Sequence, residues 1–464
     1  MTRLAASSRS LPRSSRKGVL LLLVALLFAA WWVATAPHAE IRVAEAVVFS
    51  DATERAMAAV DRSVEFADTL EIFPSALSGH DDIVFLSDGR TALASAMDGR
   101  IWTIDLATHA AEPFVDPPLM PSGMHEAPGD PAHIYFCVSH LHGQTYPAEE
   151  AVGLYRLELA TGAIEPIVLR VPATDIAGPV VYADADASAP ELTRESGGAD
   201  RPLAFCNDLE VTEDGRRIYF SEPFAYEGAA MGAGAVAEAV SLGGNGRLWR
   251  HDLDTGATRL IAEGFHFVDG VLYDLHPGLP REQSVLVSQT PHFRLTRFFL
   301  DGPEAGSAEI VLDGVAGMPD GLDRDSEGRI WAGLLEERSG FLTWLHANPW
   351  IKPFLLRLPL ERVPQSRRTG VLALTPDGAT PLYAATFDGP EVSDIASVIP
   401  AEDGLYLCYF NQARSGLVRL PYPASLALPG PISRRVSEAF SAFPALSLVI
   451  ALRGRVSARR GAPA

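Results

Sequence analysis

The segment Asp98-Gly-Arg-Ile-Trp-Thr-Ile-Asp105 begins with a glycine turn and then alternates apolar and polar side chains. The same pattern recurs at residues 153–159, 246–252, 328–333 and 404–410. Period-two alternation bounded by Gly and Asp predicts half-buried β-strands that are joined by hairpin turns. No long helical periodicity interrupts residues 75–425. The pattern therefore predicts an all-β body.

Short hairpins that repeat over ~350 residues are typical of a β-propeller, in which four-stranded blades surround a central channel. A blade takes roughly 50–60 residues, so this length corresponds to about six blades. We predict an all-β, six-bladed β-propeller with an N-terminal transmembrane helix. A sandwich or jelly roll is the alternative fold, and the even spacing of the turns described next disfavours it.

Four short turns carry Asp or Asn beside apolar segments, at residues 79–82, 205–208, 267–270 and 318–321. The inner ends of propeller blades converge on one axis, so these side chains would meet there. Carboxylate and amide oxygens suit Ca²⁺, whereas zinc and copper prefer nitrogen or sulfur. We predict a Ca²⁺ site formed by Asp81, Asn207, Asp269 and Asp320. The alternative for any one of them is an Asx-turn cap.

Two of the turns carry a second acid, Asp82 and Asp208. Consecutive residues of an extended chain point in opposite directions, so these doublets suggest a second, deeper ion. His125 and His140 flank one predicted hairpin, and we expect them to lie close together above the Ca²⁺ and to activate water. The alternative for each is an ordinary turn or core histidine.

The charge of the chain is unevenly distributed. Subtracting the +5 of residues 1–36 and the +5 of residues 432–464 from the net charge of -20 leaves -30 on residues 37–431. Nucleic-acid binding needs a basic face, so an acidic body argues against that class of partner. A body of this charge is compatible with metal binding, and surface solvation is the simpler interpretation.

A basic N-terminal region without acids precedes 19 uncharged residues, 18–36, which are enough to span a bilayer as a helix. The basic side should remain cytoplasmic and place the body on the periplasmic or extracellular side, with Trp31 and Trp32 at the outer interface. Ala34-Thr35-Ala36 is a small-x-small cleavage site, but Pro37 follows it directly. We favour an uncleaved anchor over a cleaved signal.

We divide the chain into a basic cytoplasmic segment (1–17), an anchor or uncleaved signal (18–36), a helical linker (37–74), the six-bladed propeller domain (75–425) and a basic, apolar tail (426–464). Residues 183–203 and 226–245 are predicted to be surface loops or lids. The tail segment 437–456 is either a membrane-surface helix or a disordered or packing tail. We expect the three cysteines to be buried free thiols, with one disulfide as the alternative.

On these residues the chain resembles the calcium-dependent six-bladed propellers of the gluconolactonase, paraoxonase (arylesterase) and strictosidine-synthase-like superfamily, over about residues 77–420. Segments 207–221, 246–270 and 318–333 are the most similar. The site details are most similar to those of paraoxonases. The resemblance implies a catalytic Ca²⁺ held by Asp81, Asn207, Asp269 and Asp320, a structural one held by Asp82, Asp208 and the Ala127 carbonyl, a general base His125 and its partner His140.

The chain also departs from the pattern of that family. Asp81 stands where the family has Glu, Asp269 replaces an Asn, and Gly321 removes an Asn ligand. Residues 394–399 contain no Glu, which disfavours strictosidine-type condensation. The resemblance thus implies a Ca²⁺-dependent hydrolase of lactones or aryl esters. The alternatives are a non-catalytic propeller that binds a partner or ligand around structural Ca²⁺, and a strictosidine-synthase-like lyase.

Overall fold

The structure is a computed structural model that describes residues 13–37, 39–193, 199–226, 228–273, 283–359, 363, 366–389, 392–411, 416–426 and 455–456. Most of the basic segment predicted for residues 1–17, and nearly all of the tail predicted for residues 426–464, lie outside the described residues. The predicted tail helix at 437–456 therefore stays a prediction.

The described α-helices are α1 (Arg13–Ala34), α2 (Ala52–Ala59), α3 (Ser63–Thr69), α4 (Val236–Ser241), α5 (Gly340–Ala347) and α6 (Lys352–Leu355). Helix α1 is long and apolar enough to cross a membrane over Lys17–Ala34, and none of that span is buried against the body. Helices α2 and α3 lie within the segment that we predicted to be a helical linker. Short 3-10 turns occur at Gly232–Ala235, Thr290–His292, Pro349–Ile351 and Ala424–Leu426.

The described strands are β1 (Glu71–Phe73), β2 (His80–Phe85), β3 (Thr91–Ala96), β4 (Ile101–Asp105), β5 (Ala111–Val115), β6 (Met120–Glu126), β7 (His133–Ser139), β8 (Gly153–Glu158), β9 (Ala163–Val168), β10 (Arg170–Pro172), β11 (Val180–Val181), β12 (Glu191–Leu192), β13 (Asp200–Pro202), β14 (Leu209–Val211), β15 (Arg217–Glu222), β16 (Gly246–Asp252), β17 (Thr258–Phe265), β18 (Val268–Tyr273), β19 (Ser284–Gln289), β20 (Arg294–Phe299), β21 (Ala308–Asp313), β22 (Gly317–Arg324), β23 (Ile330–Glu337), β24 (Thr369–Leu374), β25 (Pro381–Phe387), β26 (Ile395–Ala401), β27 (Gly404–Tyr409), β28 (Leu417–Leu420) and β29 (Arg455–Val456). Each of the five alternating segments contains one of these strands, as predicted.

The strands form antiparallel four-stranded meanders that follow one another along the chain: β2–β5, β6–β9, β14–β17, β18–β21 and β22–β25. The last meander joins β26, β27 and β28 to the N-terminal β1, which pairs with β28. One residue pair, His80 with Tyr409, connects it to β2–β5, so that these strands count as one eight-stranded sheet. The N-terminal strand thus completes the sheet of the C-terminal strands. The architecture is all-β and propeller-like.

Apolar side chains fill the space between neighbouring meanders. Trp249 of β16 and Trp331 of β23 are fully buried, and both come from segments with the predicted alternation. Their indole N–H groups donate to Glu222 (3.0 Å) and Asp325 (2.8 Å) respectively. A buried indole needs such a partner, so each tryptophan fixes an acid of the same meander.

A disulfide joins two neighbouring meanders. Cys137 of β7 and Cys206, just before β14, are bonded with a Cα–Cα distance of 5.1 Å, while Cys408 is free and buried. The expectation of three free thiols was therefore wrong for two of them. The two cysteines are 69 residues apart in sequence, and only the convergence of adjacent inner strands brings them together.

The two ends of the meanders differ. Helices α5 and α6 follow the end of β23, and they lie where β22 begins. Helix α4 contacts α6 and the turn Thr290–His292 on the same side. We call this side the helix face. The opposite side, where β22 ends, is the cavity face, because the large cavity described below opens there.

Candidate metal centre and cavity

The inner strands are irregular at the predicted ligand turns. The pairing register shifts between His80 and Asp82 in β2, between Val268 and Val271 in β18, and between Pro319 and Leu322 in β22. Strands β6 and β26 shift register as well. A bulge leaves the extra residue unpaired and redirects its side chain. The skipped residues include Asp81, Asp269 and Asp320, so the bulges explain how these carboxylates reach the axis.

A serine of the second strand supports the backbone at three of the predicted ligand turns. The hydroxyl groups accept backbone N–H groups in three pairs: Asp82 to Ser95 (3.0 Å), Asp208 to Ser221 (3.1 Å) and Gly270 to Ser288 (2.8 Å). Buried N–H groups that a bulge removes from the ladder need such an acceptor. In the first two pairs the serine lies 13 residues after the aspartate, so this repeated spacing is visible in the sequence.

One cavity of about 810 Å³ contains all six predicted side-chain oxygen ligands. Its walls include Asp81, Asp82, Asn207, Asp208, Asp269 and Asp320. From there the cavity extends along the ends of the inner strands to Ser87, Glu213 and Asp403 at the cavity face. The structure therefore brings together residues that are up to about 240 positions apart in the chain.

The acids at the axis repel one another. Burial, followed by neighbouring carboxylates, holds the pKa values of Asp81, Asp208 and Asp320 well above their ordinary range. Burial also raises the pKa of Asp82 to about 6 and raises that of Asp269. The Asp269 and Asp320 side chains are hydrogen-bond partners, and two carboxyl groups in such contact need a proton between them. Asp269 and Asp320 are buried, and Asp81, Asp82 and Asp208 are partly buried. Five acids in such a place require either protons or a cation.

The residues fit Ca²⁺ in donor type and in charge. Carboxylates and one amide are hard oxygen donors, and five acids exceed the charge of one or two divalent ions. The packing is also close, because a Cβ at Gly123 would stand 2.4 Å from Asp208 Oδ1. As the side chains stand, no group of three or more His, Cys, Asp or Glu residues in the described part of the chain is arranged as a metal-ligand set. Metal binding would therefore need the shared proton to leave and the carboxylates to turn.

His125 lies in the same cavity, next to an acid that sequence reasoning did not select. Its Nε2 is 3.4 Å from Glu210 Oε1, and its Nδ1 is 2.7 Å from the Glu126 carbonyl oxygen. Burial acts to lower the pKa of His125, but Glu210, the Glu126 carbonyl and Asp323 together raise it above 6.5. Burial raises the pKa of Asp323 to about 7.

The sequence contained a signal for Glu210 but none for Asp323. Glu210 lies two residues after Asp208 along β14, and residues at i and i+2 of a strand share a face. Asp323 lies beyond the bulge of β22, whose effect on side-chain direction the sequence does not display. Both residues line the cavity with His125.

The structure does not bring His140 to His125. His125 pairs with Tyr135, whereas His140 follows Ser139, which pairs with Met120 at the other end of the β6–β7 hairpin. Five residues of extended strand separate those pairs by about 17 Å. His140 packs against Tyr146 with ring centroids 5.5 Å apart, and it does not line the cavity. The predicted histidine pair was therefore wrong, because antiparallel register places its members at opposite ends.

Ala127 is also outside the cavity walls. Its carbonyl oxygen accepts the N–H of Asp130 (3.0 Å) in the turn that follows β6, so the predicted ligand role of this carbonyl does not fit. Nor does either predicted entrance loop line the cavity. The described residues of 183–203 run beside the outer strand β17, and those of 226–245 lie on the helix face.

Fold and site together define an all-β, propeller-like protein with a cluster of acids on its axis. No protein-family model matches the chain. An adipocyte plasma membrane-associated protein of Salmo salar is 28% identical over 221 residues, which cover 47% of this chain and 45% of that protein. The human protein of the same name is 29% identical over 47% of this chain and 53% of its own length.

Plant relatives are similar at a comparable level. Protein strictosidine synthase-like 10 of Arabidopsis thaliana is 25% identical over 314 residues, which cover 64% of this chain and 73% of that protein. The chain spans about half the length of the first curated relatives that it matches. Among solved structures, a luciferin-regenerating enzyme aligns with 78% of this chain and 98% of its own at 10% identity, with a TM-score of 0.47. We infer nothing from a structural match of that level.

Proposed function

We propose that this chain is a Ca²⁺-dependent hydrolase of lactones or aryl esters that is built on a six-bladed propeller. In this proposal each meander is one blade, and the eight-stranded sheet is two blades that touch at His80 and Tyr409. The observation that carries the proposal is the convergence of five acids and Asn207 on the cavity that also contains His125. Relatives named strictosidine synthase-like are consistent with an enzyme, although their names specify no ester hydrolysis.

Each residue has a role in this proposal. Asp81, Asn207, Asp269 and Asp320 would hold the catalytic Ca²⁺, and Asp82 with Asp208 would hold a structural one. A bound Ca²⁺ supplies a Lewis acid that polarises an ester carbonyl and stabilises the oxyanion. The Glu126 carbonyl accepts the Nδ1 proton of His125 and leaves Nε2 for proton transfer. Glu210 replaces His140 as the group that orients His125 and tunes its pKa.

We expect His125→Gln to lower turnover about 100-fold while Ca²⁺ binding is retained. A base acts in its deprotonated form, so wild-type turnover should increase with pH through a midpoint above 6.5. Glu210→Gln removes a group that raises the His125 pKa and should move this midpoint down. His140→Gln is the matched control and should behave as wild type. If His125→Gln retains the turnover of the wild-type protein and His140→Gln loses it, these roles are rejected.

We also propose that the helix face rests on the membrane outside the cytoplasm. Trp344 and Trp350 are 45% and 64% exposed, in and just after α5, and exposed aromatic residues favour a membrane interface. The end of the anchor reaches the same region, because the Trp32 ring contacts Phe354 (centroids 5.0 Å apart) and Arg357 (3.6 Å). The disulfide suits an oxidising compartment, and several relatives are named plasma membrane-associated.

Quenching by brominated lipids tests this orientation on the full chain in vesicles. Bromine quenches tryptophan fluorescence only within the bilayer, so replacing both Trp344 and Trp350 with Phe should remove a large share of the quenchable signal. Trp102→Phe is the matched control, since Trp102 is buried in the body and its loss should leave that signal unchanged. A double variant quenched as strongly as wild type would place the helix face away from the lipid.

A second candidate activity is a reaction of strictosidine-synthase type, which is favoured by the names of the plant relatives. Residues 394–399 lack a Glu, and this argues against it. Incubating the protein with an amine and an aldehyde, beside the ester panel, separates the two reaction classes by their products.

A further inference from the structure

Lys352 is the only lysine in the chain after Lys17; the body otherwise uses arginine for its positive charges. It begins α6 on the helix face, and its side chain is fully buried. Its Nζ donates one hydrogen bond, to the carbonyl oxygen of Ser241 in α4 (3.3 Å). Within the described residues no carboxylate forms an ion pair with this ammonium group. A buried cation in this position lacks a counter-ion.

More nitrogen donors surround Lys352. The rings of His266 and His292 stack in parallel with centroids 4.6 Å apart, and Phe49 contacts both His292 (5.8 Å) and His346 (5.6 Å). Buried nitrogens in this group have no hydrogen-bond partner in the described structure: His266 Nδ1, His292 Nδ1, both nitrogens of His346, and Nε of the neighbouring Arg294. Buried polar atoms are normally satisfied, so this concentration of unpartnered nitrogens requires an explanation. Each neutral imidazole can present one N–H donor, according to its tautomer.

The charge balance indicates which ligand would satisfy them. Burial, reinforced by nearby cations, lowers the pKa values of His266 and His346 to about 3 and lowers that of His292 further. The histidines are therefore neutral, and Arg294 donates to Gln289 (3.0 Å) and faces Asp313. Burial lowers the pKa of Lys352 only to about 8, so its ammonium group remains mostly charged at neutral pH. One positive charge is left without compensation.

We propose that Lys352, His266, His292, His346 and Arg294, together the basic cluster, form a binding site for a small organic carboxylate. A monoanion would neutralise the excess charge, since an unpaired buried ion costs several kcal/mol. A carboxylate can accept several N–H donors at once, and the Phe49 and Phe293 rings (centroids 5.0 Å apart) provide an apolar wall for its organic part. Chloride carries the same charge and is the inorganic source that the experiment must distinguish.

The basic cluster is separate from the proposed metal residues, although Thr290 Oγ1 donates to Asp269 (2.9 Å) and begins the turn that contains His292. The cluster lies where three parts of the helix face meet. Lys352 belongs to α6, and it donates to Ser241 of α4. Phe49, from the segment after the anchor, contacts His292 and His346. A bound carboxylate would hold these parts together. The proposal does not depend on Ca²⁺ or on ester hydrolysis.

Thermal unfolding of the full chain in detergent, with EDTA present throughout, tests the site. Ionic strength is held constant with sulfate while acetate or chloride is titrated. We expect a saturable rise in Tm of about 3 °C with acetate and a smaller rise with chloride. Lys352→Met keeps the volume but removes the charge, and it should show no such rise. Arg216→Met, at an exposed arginine, should respond as wild type.

A wild-type protein that does not respond to acetate, or a Lys352→Met variant that responds equally, would overturn the proposal. A chloride response larger than the acetate response would overturn the carboxylate assignment. If Lys352→Met does not fold, wild-type protein labelled with ¹³C-lysine gives signals from only two side chains. Acetate should then raise the pKa of the Lys352 signal, and an unchanged titration would contradict the site.

Discussion

Asp320→Asn is expected to stabilise the metal-free protein and to remove its stabilisation by Ca²⁺. Asp320 is buried among other acids that hold its pKa well above the ordinary range. Removing one ionisable group from that cluster relieves repulsion and desolvation, which we expect to raise the free energy of unfolding by about 2 kcal/mol in EDTA. The amide can still donate a hydrogen bond to Asp269, so the packing is retained.

Calcium should reverse the order of stability of the wild-type protein and Asp320→Asn. An ion that binds only the folded state adds about 2.7 kcal/mol at a hundredfold excess over its Kd, and the wild-type protein should gain this amount. Asp320→Asn should gain little, because a carboxylate ligand is missing. Asp254→Asn is the matched control, since Asp254 is about half exposed and pairs with Arg216 at a hairpin tip. Identical unfolding curves for wild type and Asp320→Asn in both EDTA and Ca²⁺ would remove Asp320 from the proposed site.

As the pH increases from 5 to 8, the metal-free protein should lose stability relative to the Ca²⁺-bound protein. Burial raises the folded-state pKa of Asp82 to about 6 and that of Asp323 to about 7, from an ordinary value of 3.8. The folded state then binds more protons than the unfolded state in this range. The resulting stability is fully present below pH 4 and is lost as the pH rises through 6 and 7. One pKa unit corresponds to about 1.4 kcal/mol, so these two acids contribute a loss of about 4 kcal/mol between pH 5 and 8. The neutral histidines of the basic cluster oppose this loss, and they do so with or without Ca²⁺.

Calcium should reduce this pH dependence, because a bound cation replaces the protons on the axial acids. The reduction will be partial, since burial also raises the pKa values of Glu238 and Glu336, which lie outside the cavity, to about 7. Thermal unfolding at several pH values, with EDTA or with saturating Ca²⁺, measures both slopes. A stability difference between the Ca²⁺ and EDTA samples that does not increase between pH 5 and 8 would contradict the charge balance that we assign to the axis.

Local sequence patterns predicted what depends on short-range chemistry. Alternation around Trp249 and Trp331 predicted strands, because a half-buried sheet imposes a period of two. The Asp and Asn turns predicted a convergent acid set, and the structure places all six of those residues around one cavity. Repetition made this possible, since equivalent positions of successive meanders occupy equivalent places around the axis.

Features that depend on register or on long-range contact were not accessible in the same way. The pairing register between β6 and β7 places His140 far from His125. The bulge in β22 directs Asp323 into the cavity. The bond between Cys137 and Cys206 depends on which meanders are neighbours. Lys352 is conspicuous in the sequence as an isolated lysine, but its burial follows from the packing of α6 against α4.

Hydrolysis of a panel of γ- and δ-lactones and phenyl acetate by the full chain tests the central claim most directly. Turnover is measured after EDTA treatment and again after Ca²⁺ is restored, while circular dichroism monitors the fold. We predict turnover that EDTA abolishes and Ca²⁺ recovers. A folded, Ca²⁺-loaded protein that hydrolyses none of these substrates would contradict the hydrolase assignment and favour a propeller that only binds its ligand.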